Sequence, residues 1–182
     1  MCRLIRQAQH VIGLPVLHAG GGKVGRVQDV WFDDSWRFCG VVLREPFPWP
    51  RRPARVVRKE RIVSWGEDAL MIDGTDAVET ADGRRPLRTF DTGPVRLKDR
   101  PVYTVDGREL GRVSDVYFRP EEDIPWLGYE LTDGFFADVT EGRRRLFLPE
   151  DADAVIGEDA ILVPASCERV LERNHKEQGE RP

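Results

Sequence analysis

Residues 15–32 read PVLHAGGGKVGRVQDVWF, and residues 101–118 read PVYTVDGRELGRVSDVYF. Nine of the 18 aligned positions are identical at a constant offset of 86 residues, without a gap. A second block recurs further along, as SWGEDALMI at residues 64–72 and as VIGEDAILV at residues 155–163. Two blocks repeated in the same order indicate an internal duplication, and each copy spans about 65 residues, a length typical of a small structural unit.

The pattern within each copy predicts β-strands. Short apolar runs rich in Val, Leu and aromatic residues are separated by Gly, Pro and Asp, which is typical of strands joined by turns. Asp106-Gly107, and Gly20-Gly21-Gly22 in the first copy, predict a tight hairpin turn of type I′, because these residues tolerate positive φ angles. The next segment predicts a long, coiled strand with a bulge near Gly111, whose counterpart in the repeated motif of the first copy is Gly25.

The duplication therefore predicts an all-β fold with two small barrels in tandem. The first domain is expected at residues 8–75 and the second at residues 95–165. A linker at residues 76–94, rich in Asp, Gly, Thr and Arg, is expected to cross the surface, with room for one short strand. In the tail, residues 166–182, Ser166 is expected to cap a short C-terminal helix.

Composition describes a water-soluble globular chain. Of 182 residues, 40% are hydrophobic and 33% are charged, and the mean hydropathy is −0.46. No apolar run reaches the roughly 18 residues that a bilayer crossing requires, and the first ten residues lack the apolar core of a secretory signal. We therefore expect no membrane insertion and a cytoplasmic location. The net charge is −4, with a positive N-terminal half and a negative C-terminal half.

No residue pattern predicts catalysis, a metal site or a cofactor. The three cysteines and three histidines are scattered without the spacing of metal ligands. Asp29 and Asp115 form a carboxylate pair of the kind that acid–base chemistry uses, but their equivalent positions in the two copies favour a structural role. We expect each to contact Arg26 or Arg112, or the amide of a loop. The chain is therefore not expected to be an enzyme.

The motifs resemble those of the PRC-barrel family. The shared features are an opening Pro-Val strand, a glycine-containing turn, the sequence Leu/Val-Gly-Arg-Val-x-Asp-Val-x-Phe and a closing Gly-Glu-Asp-Ala-apolar segment, and both copies have all four. The resemblance implies a small, partly open β-barrel that serves as a protein–protein adaptor. Similar domains occur in the cytoplasmic part of the H subunit of photosynthetic reaction centres and at the C-terminus of a ribosome-maturation factor. The tandem arrangement is similar to that of stand-alone bacterial members.

The most distinctive candidate for binding is the segment at residues 44–61, REPFPWPRRPARVVRKER, which contains seven basic residues. Exposed aromatic and arginine side chains together are typical of protein-binding hot spots and also of platforms for single-stranded nucleic acid. The matching segment of the second copy repeats an aromatic pair and an arginine cluster. The candidate partner-binding residues are Phe47, Trp49, Arg51, Arg52, Arg55, Phe135 and Phe136.

Three interpretations of this segment remain open at the level of sequence. The aromatic residues fold back onto a barrel, or they bind an unidentified protein partner, or the arginines bind RNA or the ribosome. We predict a non-enzymatic protein-binding adaptor, with an RNA-associated module as the alternative. A small-molecule sensor has no residue signature here. Open barrel edges also make a homodimer plausible.

Overall fold

The strand that follows the glycine turn is ten residues long in both copies, at Lys23–Phe32 and Glu109–Phe118. The computed structural model describes residues 5–45, 53–120, 128–134, 143–148 and 153–168. Its contacts divide the described residues into two compact units. The first unit comprises residues 5–45, 53–96 and 118–120, and the second comprises residues 97–117, 128–134, 143–148 and 153–168.

The described residues of the N-terminal copy and the linker form ten strands and one α-helical turn. Two single turns of 3₁₀-helix lie at Lys59–Arg61 and Thr75–Ala77. In chain order the elements are β1 Arg6–Gln7, α1 Ala8–Val11, β2 Pro15–His18, β3 Lys23–Phe32, β4 Phe38–Leu43, β5 Arg55–Arg58, β6 Ile62–Trp65, β7 Leu70–Ile72, β8 Val78–Thr80, β9 Arg88–Thr89 and β10 Val95–Arg96.

The C-terminal copy repeats this series from the Pro-Val strand onward. Its described strands are β11 Pro101–Thr104, β12 Glu109–Phe118, β13 Gly128–Thr132, β14 Arg144–Phe147, β15 Val155–Ile156 and β16 Ile161–Val163. Residues 166–168 are helical, so the helix already includes Ser166, which was expected to cap it. The rest of the predicted C-terminal helix lies outside the described residues.

The two sheets have the same topology. The first is ordered β6-β7-β2-β3-β4-β5-β8, and the second β15-β16-β11-β12-β13-β14. The opening strand of each copy pairs in parallel with the closing strand, as β2 with β7 and β11 with β16, and antiparallel with the long strand. The all-β prediction is confirmed. Along this order the first sheet continues to β8, which comes from the linker and pairs with β5. Two more short strands after β8 join the first sheet, since β9 pairs with β3 and β10 pairs with β9.

Two bulges bend the long strand at equivalent places in the two copies. Opposite the opening strand, Val24 and Leu110 are the extra residues. The predicted bulge near Gly111 is confirmed, and the first copy has its equivalent beside Gly25. Opposite the third strand, the extra residues are Gln28 and Ser114. Each bulge shifts the alternation of side chains by one residue and increases the local twist, which curls the sheet around its core.

The hairpin turn differs from the type I′ turn that the sequence predicted. Gly107 has a φ of +91° and Gly21 one of +81°, while Asp106 and Gly20 are not in the left-handed region. The amide of Gly107 donates to the Thr104 carbonyl at 2.8 Å, and that of Gly21 donates to the His18 carbonyl at 2.8 Å. A three-residue loop closed by one left-handed glycine needs only that single glycine, and the Leu110 and Val24 bulges supply the accompanying twist.

Each unit has its own hydrophobic core, and equivalent residues fill both. Strand alternation directs the same apolar positions inward in the two copies, and all of them are fully buried. The matched pairs are Val16/Val102, Val27/Val113, Val30/Val116, Val41/Tyr129, Leu43/Leu131, Val57/Leu146, Leu70/Ile161 and Ile72/Val163. Within the described part of the chain, no helix has the length and apolar content needed to cross a bilayer.

Candidate partner-binding surface

Most of the candidate binding residues fall outside the described part of the chain, and for them the sequence prediction stands as a prediction. The exception is Arg55 on β5. The residues outside the described ranges are Phe47, Trp49, Arg51, Arg52, Phe135 and Phe136.

Arg55 is half-buried, and its guanidinium contacts the carbonyl oxygen of Val24 at 3.3 Å. Arg144, at the equivalent place on β14, donates to the carbonyl oxygen of Leu110 at 2.6 Å. Val24 and Leu110 are the extra residues of the two bulges, where the ladder of backbone hydrogen bonds is interrupted. The paired arginines therefore satisfy a bulge carbonyl in both copies. Sequence analysis missed this role.

Two further arginines of the basic segment, Arg58 and Arg61, are held by carboxylates. Arg58 forms an ion pair with Glu79 at 3.0 Å. Arg61 binds Asp73 at 2.5 Å and Asp76 at 2.8 Å, and the hydrogen bond from its guanidinium lowers the pKa of Asp76. These pairs reduce the positive potential that this segment offers to a phosphate backbone.

Asp29 is fully buried and fastens the linker to the first sheet. Its Oδ2 atom accepts hydrogen bonds from the amides of Asp91 and Thr92 and from the Thr92 hydroxyl, while Oδ1 accepts the Val30 amide. Burial raises the pKa of Asp29, and these hydrogen bonds oppose that shift. Of the two contacts that the sequence left open, the structure has the loop amides, because Arg26 donates instead to the carbonyl of Gly13 at 2.9 Å.

Asp115 occupies the equivalent place in the second copy and is also buried. Its Oδ1 atom accepts the amide of Val116 at 2.8 Å, the distance found between Asp29 and Val30. Arg112 likewise repeats the contact of Arg26, since it donates to the carbonyl of Asp99 at 3.0 Å. Both carboxylates thus accept a hydrogen bond from the backbone amide of the next residue, beside the second bulge of the long strand.

The second unit also carries a surface that the sequence did not predict. It lies across three neighbouring strands, with Tyr117 on β12, Glu130 on β13, and Arg145 and Phe147 on β14, and it includes Arg143, which directly precedes β14. We call these five residues the arginine–aromatic face.

A buried carboxylate organises the arginine–aromatic face. Glu130 accepts hydrogen bonds from the hydroxyl of Tyr117 and from the guanidinium of Arg143, both at 3.1 Å, and it lies 3.9 Å from Nε of Arg145. Ser114, the extra residue of the second bulge, donates to the Glu130 backbone carbonyl at 3.0 Å. Burial, followed by the Glu130 charge, raises the pKa of Tyr117 to about 12.

The outer part of this face is accessible to solvent. Phe147 is 40% exposed, and the side chains of Arg143 and Arg145 are 48% and 50% exposed. The ring of Phe147 lies 5.2 Å from that of Tyr117, and the guanidinium of Arg145 lies over the Tyr117 ring at 5.8 Å. The structure thus holds a partly exposed aromatic ring and two arginines in a fixed arrangement.

A family model for the PRC-barrel domain matches residues 6–80 and again residues 95–170. The chain belongs to the PRC-barrel family. Both expected copies are matched, so the tandem arrangement is confirmed as well. A search of the curated proteins found no match.

The first PRC-barrel domain has no equivalent of this face. Val42 stands where the second domain has Glu130, since these residues pair with Asp29 and Asp115 respectively. Trp31 replaces Tyr117, and Arg58 packs over its ring at 5.9 Å. The one sequence signal for the face is Glu130 itself, an acidic residue within an apolar strand whose counterpart in the other copy is valine.

A groove of about 570 Å³ lies in the first PRC-barrel domain beside the linker. Its basic and acidic side chains offset one another, since Asp34 lies 3.4 Å from Arg88 and 3.8 Å from Arg85. Among the described residues, no three His, Cys, Asp or Glu side chains are grouped as a metal ion would require.

Proposed function

We propose that this tandem PRC-barrel protein is a non-enzymatic adaptor that binds another protein through the arginine–aromatic face of its second domain. The observation that carries the proposal is the fixation of Arg143 and Tyr117 by the buried Glu130, beside the exposed ring of Phe147.

The composition of the face supports protein binding. Arginine and aromatic residues are over-represented among residues that dominate binding energies, because they combine a large contact area with directional hydrogen bonds. Long arginine side chains normally lose conformational entropy when a partner immobilises them. Here Glu130 restrains Arg143 before binding, and ring packing restrains Arg145 and Phe147. The loss of side-chain conformational entropy on binding is therefore smaller than for unrestrained arginines.

The environment of the two carboxylates that the copies share, Asp29 and Asp115, supports a role without catalysis. Asp29 directs both oxygens at backbone amides, that of the next residue and two of the linker, and Asp115 repeats the contact with the following amide. A general base instead needs to reach a proton of the substrate. These carboxylates are accounted for by the stability of the bent strand and, for Asp29, of the linker.

Affinity capture with matched variants tests the proposal. The wild-type chain, Arg145→Ala and Phe147→Ala are immobilised, and the captured proteins are quantified against Leu162→Ala. Leu162 is a suitable control because it lies in the same domain and is also 40% exposed. We expect a partner that is lost with the two face variants and retained with the control. Partners retained equally by all four proteins would contradict the assignment of the surface.

A second comparison tests the residues that the sequence singled out. Phe47→Ala combined with Trp49→Ala, and Phe135→Ala combined with Phe136→Ala, are assayed in the same capture experiment. Loss of the same partner with the second pair would extend the surface along the connection between β13 and β14. Loss with the first pair alone would move the binding surface to the first domain.

A further inference from the structure

The two PRC-barrel domains differ at the outer edge of their fourth strands. In the first domain β5 pairs on one side with β4 and on the other with β8, the linker strand. In the second domain β14 is the last strand of the sheet formed by the described residues, and its pairing is with β13. β8 pairs with the outer edge of β5, and the corresponding edge of β14 is the end of the second sheet as the described residues form it.

The direction of the backbone groups at this edge follows from the alternation of an antiparallel ladder. The amide of Ala81 donates to the carbonyl of Ala54 at 2.8 Å, so Val56, two residues on, also directs its N–H and C=O toward β8. Arg145 is the counterpart of Val56. Arg145 pairs with Glu130 and Val56 pairs with Val42, and these two partners occupy equivalent positions in the two domains. A Cβ atom added to Gly128 would collide with the Leu146 carbonyl, so Leu146 faces β13 and Arg145 faces outward.

The side chains at the two edges also differ. Val56 is 3% exposed, whereas Arg145 and Phe147 on the matching face of β14 belong to the exposed arginine–aromatic face. Three consecutive arginines, residues 143–145, lead into and along this strand. In the first domain the residue opposite Val56 is Glu79. A carboxylate at the same register would lie directly opposite Arg145, and opposite charges facing each other across two strands are stabilising.

We propose that β14 binds a partner protein by strand addition. The occupant is an extended antiparallel segment with an acidic residue opposite Arg145 and an apolar residue opposite Leu146, following the pattern of Val78-Glu79-Thr80 on β5. This inference rests on the proposed function and specifies the partner's chemistry at the same surface. Backbone hydrogen bonds supply affinity in such complexes, and alternate side chains supply specificity.

A peptide taken from the chain's own linker provides the probe. The peptide DAVETAD, residues 76–82, is titrated into the isotope-labelled full chain, and backbone amide shifts are followed by NMR. We expect shift changes centred on residues 143–147. Absence of changes there at millimolar peptide, or changes confined to β5, would overturn the proposal.

Two methylated peptides test the backbone contacts without altering the protein. In the β8 geometry the N–H of Glu79 faces β5 and that of Thr80 faces away. N-methylation at the glutamate should weaken binding by about tenfold or more, because it removes one hydrogen bond and leaves an acceptor on β14 unsatisfied. N-methylation at the threonine is the matched control. Equal affinities of the two methylated peptides would rule out strand addition.

A pair of protein variants separates this inference from the adaptor function. Arg145→Ala removes the side chain, and Arg145→Pro also removes the outward N–H, which an edge strand tolerates. A partner that depends on Phe147 but binds both Arg145 variants equally would leave the adaptor intact and overturn strand addition. A partner indifferent to Phe147 and to both Arg145 variants would overturn the proposed function itself.

The identity of the occupant is tested on the same samples. Concentration-dependent dimerisation that Arg145→Pro abolishes would identify a second copy of this chain at the edge. Nuclear Overhauser contacts between β14 amides and residues 169–182 would identify the chain's own C-terminal residues. Either result would replace the partner protein and overturn the proposal as stated.

Discussion

The hydroxyl of Thr92 donates a hydrogen bond of 2.7 Å to Oδ2 of Asp29, a residue 63 positions earlier in the chain. The same oxygen accepts the amides of Thr92 at 2.6 Å and of Asp91 at 2.9 Å. Asp29 belongs to the duplicated motif, whereas Asp91 and Thr92 lie in the linker, which is not duplicated. A repeated residue thus holds a segment that only one of the two domains has.

Replacing Asp29 with alanine should lower the free energy of unfolding of the first domain by about 1–3 kcal/mol, because the buried amides that it accepts lose their partner. Urea unfolding followed by tryptophan fluorescence measures this change, since four of the five tryptophans, Trp31, Trp36, Trp49 and Trp65, lie in the N-terminal half. Thr92→Ser retains the hydroxyl and serves as the control. A variant with wild-type stability would show that Asp29 does not hold the linker.

The pKa of Tyr117, at the centre of the arginine–aromatic face, is predicted to lie well above that of an ordinary tyrosine. Its raised value of about 12, against an ordinary value of 10, means that folding favours the neutral phenol. The resulting stabilisation is complete below pH 10 and is lost as the pH rises toward 12. A ¹³C-tyrosine NMR titration of the folded protein measures the value directly.

Two variants, one that removes a negative charge and one that removes a positive charge, provide the control for this titration. Glu130→Gln removes a negative charge and should lower the pKa of Tyr117, which stays above 10 because burial is the larger cause. Arg145→Gln removes a positive charge and should raise it. A shift in the same direction for both variants would contradict the electrostatic account.

Gly40 is predicted to tolerate no side chain. Its φ is +152°, and an added Cβ would overlap the carbonyl oxygen of Val57 and lie 3.0 Å from the Cα of Arg58. Gly40→Ala should therefore destabilise the first domain by about 1–3 kcal/mol or more through overpacking. Gly25→Ala is the control, because its Cβ would make an ordinary contact of 3.7 Å with Leu43. Equal thermal unfolding of the two variants would contradict this account.

RNA binding is predicted to be negligible, even at low salt. Arg58 and Arg61 in the basic segment are paired with Glu79, Asp73 and Asp76, so little of their charge remains for phosphates. Fluorescence anisotropy with labelled polyuridine measures the affinity over a range of salt concentrations. Tight binding that falls steeply with salt and weakens with Arg51→Ala or Arg52→Ala would favour the RNA-associated alternative instead.

The sequence predicted those features of the fold that depend on local chemistry repeated twice. The strands, the bulge near Gly111 and the buried positions within each unit follow from apolar alternation and glycine placement. The hairpin turn was predicted wrongly because Asp106-Gly107 suits two kinds of loop. Both kinds of loop use a glycine with positive φ, so the dipeptide alone does not distinguish them.

Features that depend on contacts between distant residues were beyond the sequence. Nothing local indicates that Arg55 and Arg144 reach a bulge carbonyl, or that the linker adds β8 to the first sheet. Glu130 was missed because identities between the copies mark only shared residues, whereas the importance of Glu130 lies in its difference from Val42. The remaining predicted binding residues, including Trp49 and Phe136, still require the capture experiment.

The three-residue strand Val78–Thr80 has a consequence for how the two halves of such a duplicated gene diverge. In the described part of the chain it seals one sheet and has no counterpart on the other. A short segment of the spacer can therefore pair with the outer edge of one sheet while the same positions stay buried in both hydrophobic interiors.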